Sequence, residues 1–208
     1  MTAATLRARC RRLRVIITDV DGVLTDGGMY YGESGEEMKR FNIRDGAGVA
    51  LLKCAGLFVG AMTGESRDLV DRRAEKMGMD FLVSGARNKL GALERFAARN
   101  GFALKEAAYV GDEINDCNLL GRVGVFFAVA DAGPEIRRGA DVVLKTRGGA
   151  GALREAAEIV LRHQGRLKSS LSEYLRRSEE ATEIENVHLF RSGRGRKARA
   201  RPARIRKP

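Results

Sequence analysis

The chain has 208 residues, 44% of them apolar, enough to bury one core of ordinary domain size. Its formal charge of +11 suggests a polyanion-binding protein, but 14 unbalanced positive charges sit in residues 1–14 and 191–208, which leaves residues 15–190 at −3. A mildly acidic body with basic ends is not a basic nucleic-acid-binding domain, and the longest apolar run, Val123 to Ala130, is far too short to cross a bilayer as a helix.

The Arg-rich, acid-free start has no apolar stretch of the kind a secretory signal needs, and it leads directly into a strand at Val15, which leaves little room for a removable presequence. Residues 1–12 read as a basic N-terminal extension, 13–167 as the folded domain, and 168–208 as a polar helix followed by a disordered basic tail. The three cysteines, Cys10, Cys54 and Cys117, are scattered, which points to reduced thiols in a cytoplasmic protein with no disulfide framework or zinc site. With two histidines, both late in the chain, a catalytic triad is not expected.

From Val15 onward, apolar runs of strand length alternate with helical patterns. The runs are 15–18, 57–62, 81–83, 107–110, 123–130 and 141–144; the helical segments are 47–55, 66–77, 89–100, 114–120 and 149–163. Gly56, Gly78, Gly101 and Gly121 follow four of these helices as C-terminal stops. This alternation predicts an α/β fold with a doubly wound parallel sheet. One excursion breaks it: residues 22–41 read as a β-hairpin turning near Gly32–Gly35, with Met29, Tyr30, Tyr31, Met38 and Phe41 as its apolar residues.

The chemistry gathers at strand ends. Asp19 and Asp21 follow Val15-Ile16-Ile17, and residues two apart in an extended chain face the same side, so both carboxylates emerge together. Gly22 then lets the chain turn. Thr63 follows the strand at 57–62, Lys89 opens the helix after 81–83, and Asp112 follows 107–110, with Asp116 one turn later. The carboxyl edge of a parallel sheet is where such folds bind ligands. Each element alone has a plainer reading, since acidic turn pairs cap helices and Asp112 suits an N-cap. Together they suit phosphoryl transfer. Clustered carboxylates call for a hard cation such as Mg2+, one carboxylate can accept the phosphoryl group, a second can move the proton, and Thr and Lys can hold phosphoryl oxygens.

This ordered set resembles the haloacid dehalogenase superfamily of phosphotransferases. The resemblance implies Asp19 as nucleophile, Asp21 as general acid and base, Thr63 and Lys89 as catalytic partners, and Mg2+ on Asp19, Asp112 and the backbone carbonyl of Asp21, with Asp116 behind them. Longer stretches are similar to the capless 3-deoxy-D-manno-octulosonate 8-phosphate phosphatase family: DVDGVLTDG (19–27), FNIRDG (41–46), GDEIND (111–116), AVADA (128–132) and RGGAGALREA (147–156). The similarity covers about residues 13–167.

A sister branch of that family acts on nine-carbon 2-keto-3-deoxynononate or sialate 9-phosphates. Glu65 stands where the octulosonate branch typically has Arg, and Arg72-Arg73-Ala74-Glu75-Lys76 is similar to the nine-carbon branch, whereas Phe41–Gly46 and Ala128–Ala132 lean the other way. The charge reversal at Glu65 carries the greater weight, so a nine-carbon 9-phosphate is the expected substrate. The alternatives are an octulosonate 8-phosphatase of lipopolysaccharide synthesis and a non-catalytic oligomerising module. Candidate substrate contacts are Asn42, Arg44, Asp45, Gly46, Gly64, Glu65, Arg73 and Lys76, with Lys76 placed three turns from Glu65 on one helix face to pair the substrate acid. For Arg73 and Lys76 the plainer reading is a solvated helix face.

Only 41 residues separate Asp21 from Thr63 and 25 separate Thr63 from Lys89, so no cap domain fits. An open rim on a small-molecule phosphatase needs a lid from elsewhere. The resemblance implies a homotetramer in which each hairpin covers a neighbour's site; a hairpin folded onto its own domain is the alternative. The Arg-rich tail is a candidate for polyanion contact.

Overall fold

Strands and helices alternate through the described residues, 2–66 and 68–180 of the computed structural model, with the side chains of residues 35–37 excepted. The order is α1 (Ala3–Arg11), β1 (Val15–Thr18), β2 (Tyr30–Gly32), β3 (Gly35–Met38), α2 (Ile43–Cys54), β4 (Phe58–Met62), α3 (Asp68–Lys76), β5 (Phe81–Val83) and α4 (Lys89–Asn100). Then come β6 (Ala107–Gly111), a 3-10 helix over Ile114–Leu119, β7 (Val125–Ala128), α5 (Pro134–Gly139), β8 (Val142–Val143), α6 (Ala152–Gln164) and α7 (Leu167–Glu180). The basic tail expected at the C-terminus lies outside the described residues.

Six strands form one parallel sheet in the order β5-β4-β1-β6-β7-β8. Every residue of β1, β6 and β7 is buried, which is why these strands read as unbroken apolar runs. Chain order steps outward from β1 to β5, then returns to β6 and steps the other way. Right-handed crossovers therefore put α2 and α3 on one face and α4, the 3-10 helix and α5 on the other, the doubly wound arrangement. The reversal falls between β1 and β6, so the carboxyl ends of those two strands flank the crevice where ligands of such sheets bind.

One segment departs from what the sequence predicts. Residues 1–12 are not a loose extension: Thr2 caps α1 by accepting from Thr5 N, Cys10 is buried in the core, Arg9 pairs with Asp141 at 2.7 Å, and Gln164 donates to the carbonyls of Cys10 and Leu13. The single apolar edge of α1, Leu6 and Cys10, suffices to dock it. The expected hairpin is present as β2 and β3, a separate antiparallel pair, and it is not folded into this chain's core: Tyr31 is 66% and Met38 60% exposed.

Candidate active site

The strand register brings the predicted residues to one rim. Thr18 pairs with Ala61 of β4 and with Val110 of β6, so Asp19, Thr63 and Asp112 leave adjacent strand ends. Asp19 N–H continues the ladder to the Val110 carbonyl at 2.9 Å, and its Oδ1 accepts from Val20 N at 2.7 Å, which fixes the carboxylate. Gly22 follows with φ +77°, and a methyl group built there would collide with the Asp112 carboxylate. Gly22 is thus needed both for the turn and for the approach of Asp112. Gly148 supports the same turn from outside, since a methyl there would strike the Gly22 carbonyl.

Lys89, first residue of α4, is 1% exposed and donates to Asp19 Oδ2 and to Asp116 Oδ1, both at 2.6 Å. Asp116 is fully buried and also accepts from the Tyr109 hydroxyl at 2.9 Å and from Asp112 N at 3.1 Å. Asp19, Asp112 and Asp116 each bring one carboxylate oxygen within 4.8 Å of the others. Burial, reinforced by the negative charge of Asp116, lifts the Asp19 carboxyl to about 7; burial, with Asp19 and Asp116 adding, lifts Asp112 to about 8. Burial opposes the charge of Lys89, but Asp19 and Asp116 outweigh it and hold the ammonium above its ordinary value. Asp112 Oδ1 is buried without a hydrogen-bond partner among the described residues. A three-carboxylate group with one such unpaired oxygen suits a hard divalent cation.

A second cluster borders the first and centres on a residue the sequence reading passes over. Lys39, just after β3, has a fully buried side chain and donates to Asp21 Oδ1 at 2.7 Å and to Glu65 Oε2 at 3.0 Å. Burial works against the Lys39 charge, but its hydrogen bonds to the two carboxylates prevail and hold it above its ordinary value. Thr63 is buried, and its Oγ1 accepts from Glu65 N at 3.1 Å. Glu65 precedes α3, so it does not share a helix face with Lys76, which is exposed at the far end of that helix. The helical spacing that was to bring Lys76 to the substrate acid beside Glu65 therefore does not apply.

The remaining candidates divide. Asn42 caps α2, accepting from Arg44 N, and donates to the Gly149 carbonyl at 3.2 Å. Arg73 donates to the Asn42 carbonyl at 2.8 Å and lies 5.6 Å from the Phe41 ring centre, so it is tied into the fold rather than solvated. Arg44 is exposed, while Gly46 and Gly64 are half-buried or open. Asp45 is 1% exposed and its Oδ1 accepts from Arg154 N at 3.3 Å, at the start of α6. It faces the α2–α6 contact, not the rim, and its expected part as a substrate contact gives way to a structural one.

Residues 69–154 match the model of a family described as haloacid dehalogenase-like hydrolase. The 3-deoxy-D-manno-octulosonate 8-phosphate phosphatase of Escherichia coli K12 is 39% identical over 165 residues, which span 79% of this chain and 88% of that protein. The crystal structure of the enzyme of the same name from Yersinia pestis matches with TM-score 0.77 at 36% identity, over 80% of this chain and 90% of that one. That from Moraxella catarrhalis, in complex with magnesium, phosphate and 3-deoxy-D-manno-octulosonate, matches with TM-score 0.79 at 30% identity, over 83% and 99%. A carboxylate rim at the β1–β6 crevice, in a chain this similar over most of the length of its relatives, is that of a phosphoric monoester hydrolase, and the chain belongs to the 3-deoxy-D-manno-octulosonate 8-phosphate phosphatase family of the haloacid dehalogenase superfamily.

Proposed function

We propose that this chain hydrolyses 3-deoxy-D-manno-octulosonate 8-phosphate through an aspartyl-phosphate on Asp19. The reading rests on the buried Lys89 tying Asp19 to Asp116 beside Asp112, in a chain whose 39%-identical relatives are phosphatases of that ester. The preference for a nine-carbon substrate expected from Glu65 is weakened, because Lys39 already engages that carboxylate. The eight-carbon alternative is better supported by the relatives.

Asp19 and Asp112, with the backbone carbonyl of Asp21, would hold Mg2+. Asp116 is already engaged by Lys89, Tyr109 and Asp112 N and stands behind them. When bound, the ion neutralises the carboxylates and polarises the phosphoryl group. The chain's own residues do the rest. Asp19 attacks phosphorus as the ester bond breaks, and the leaving alkoxide takes a proton from Asp21. Lys89 and Thr63 hold phosphoryl oxygens as charge redistributes. Asp21, now a carboxylate, takes a proton from the water that cleaves the acyl phosphate, and Asp19 is restored. Arg44, exposed at the start of α2, is the candidate partner for the substrate carboxylate.

The same reading makes the protein a homotetramer whose hairpins supply lids. The exposure of Tyr30, Tyr31 and Met38 on the hairpin, and the lack of a cap domain among the described residues, support it. Phosphate release from the octulosonate 8-phosphate, the nononate 9-phosphate and sialate 9-phosphate, measured side by side with Mg2+, tests the substrate. The eight-carbon ester should have the highest kcat/KM. A nine-carbon ester preferred by more than about tenfold would return the specificity to Glu65.

A further inference from the structure

We propose that Lys39 is the positioning residue for the acid–base carboxyl Asp21, and that Glu65 serves Lys39 rather than the substrate. This rests on the assignment of Asp21 as proton donor given above. Among the described residues Lys39 is the one hydrogen-bond partner of the Asp21 carboxylate, which follows the strand end and is 25% exposed, against 5% for Asp19. Lys39 supplies the anchor from the fully buried end of its side chain, at 2.7 Å from Oδ1.

The direction of that hydrogen bond matters. An ammonium can only donate, so Oδ1 accepts, and because a carbonyl-type oxygen is the better acceptor the contact favours a proton of the Asp21 carboxyl on Oδ2. The contact therefore survives in both protonation states and leaves one defined oxygen to exchange the proton. Glu65 accepts from the same ammonium at 3.0 Å and so helps to hold Lys39 in place. The Glu65 backbone is itself fixed, its N–H by Thr63 Oγ1 and its carbonyl by Gly85 N. A chain of contacts thus runs from Thr63 through Glu65 and Lys39 to Asp21, and it places the hairpin's exit strand in charge of the proton donor.

The test uses leaving groups. In the first half-reaction the Asp19–phosphorus bond forms, the ester bond breaks, and an alkoxide needs the Asp21 proton; p-nitrophenolate leaves without one. kcat/KM reports steps through the aspartyl-phosphate and excludes its hydrolysis. For Lys39→Met, kcat/KM should fall about 10- to 100-fold on glycerol phosphate and on the octulosonate 8-phosphate alike, and less than about threefold on p-nitrophenyl phosphate. Lys39→Arg should recover part of the loss, and adding Lys39→Met to Asp21→Asn should cost little more than Asp21→Asn alone.

Equal losses on all three esters would make Lys39 a structural or phosphate-binding residue and overturn the proposal. So would a loss confined to the sugar acid, which would mark a substrate contact. If Asp21→Asn itself fails to separate alkyl from aryl esters, the assignment of Asp21 is wrong. If Asp21→Asn separates them and Lys39→Met does not, only the role of Lys39 falls.

Discussion

Replacing Asp45 by asparagine should change how the stability of this protein depends on pH. Asp45 is 1% exposed, its Oδ1 is held at the start of α6, and its Oδ2 has no partner among the described residues. Burial raises its carboxyl from 3.8 to about 6, against the opposing pull of the Arg154 and Leu153 N–H groups and of Arg73. Between those two values the folded protein holds more protons than the unfolded chain, so stability falls as pH rises through the window and levels off above it. The whole loss is about 3 kcal/mol, of which about 1.4 kcal/mol falls between about pH 5 and about pH 8. Asparagine keeps an acceptor for Arg154 N and carries no charge, so its own cost is the same at both pH values. Relative to wild type, the variant should therefore gain about 1.4 kcal/mol between about pH 5 and about pH 8, or about 3–6 °C in melting temperature. Denaturant or thermal unfolding of both proteins at fixed Mg2+ measures this. Parallel pH profiles for the two would refute the buried ionisation. Because Asp45 faces α6, kcat/KM for the sugar phosphate should stay within about threefold of wild type, whereas a substrate contact would lose much more.

Other outcomes follow from the same geometry. Gly22→Ala forces a side chain into a left-handed backbone and against the Asp112 carboxylate; it should raise the Mg2+ concentration for half-maximal activity and lower kcat by at least about tenfold, read from metal titrations. Tyr109→Phe removes one donor from Asp116 while Lys89 remains; it should cost about 1–2 kcal/mol in denaturant unfolding and lower kcat a few-fold with KM unchanged. Deleting residues 29–38 should leave a folded protein that light scattering finds as a monomer or dimer, with KM raised for the sugar phosphate; a fully active wild-type monomer would contradict the shared lid.

What could be read from the sequence was what short-range periodicity controls. Asp19 and Asp21 were legible because they come directly after the apolar run of β1, and Lys89 and Asp112 because each comes after a further apolar run of strand length. Lys39 was not, because a hairpin returns its side chain to Asp21 from 18 residues away with no pattern to announce it. The helix over Ala3–Arg11 was hidden by its own arginines, although Leu6 and Cys10 are one turn apart. Helical spacing from Glu65 points Lys76 toward the substrate acid, and that spacing fails because Glu65 lies before α3, outside the helix. The glycines of 147–151 carried the family resemblance without revealing their use: Gly148 and Gly149 lie against the backbone of Gly22, Thr25 and Asp26, where no side chain fits.

Every step proposed for this site depends on Asp19 carrying the phosphoryl group. Rapid acid quench of the Mg2+-loaded wild type with radiolabelled octulosonate 8-phosphate, followed by peptide mapping, tests it directly. A hydroxylamine-labile label is expected on the peptide containing Asp19, formed and lost at rates competent for turnover and absent from Asp19→Asn, which should also release no phosphate. Turnover without a covalent label, or near wild-type activity in Asp19→Asn, would contradict it.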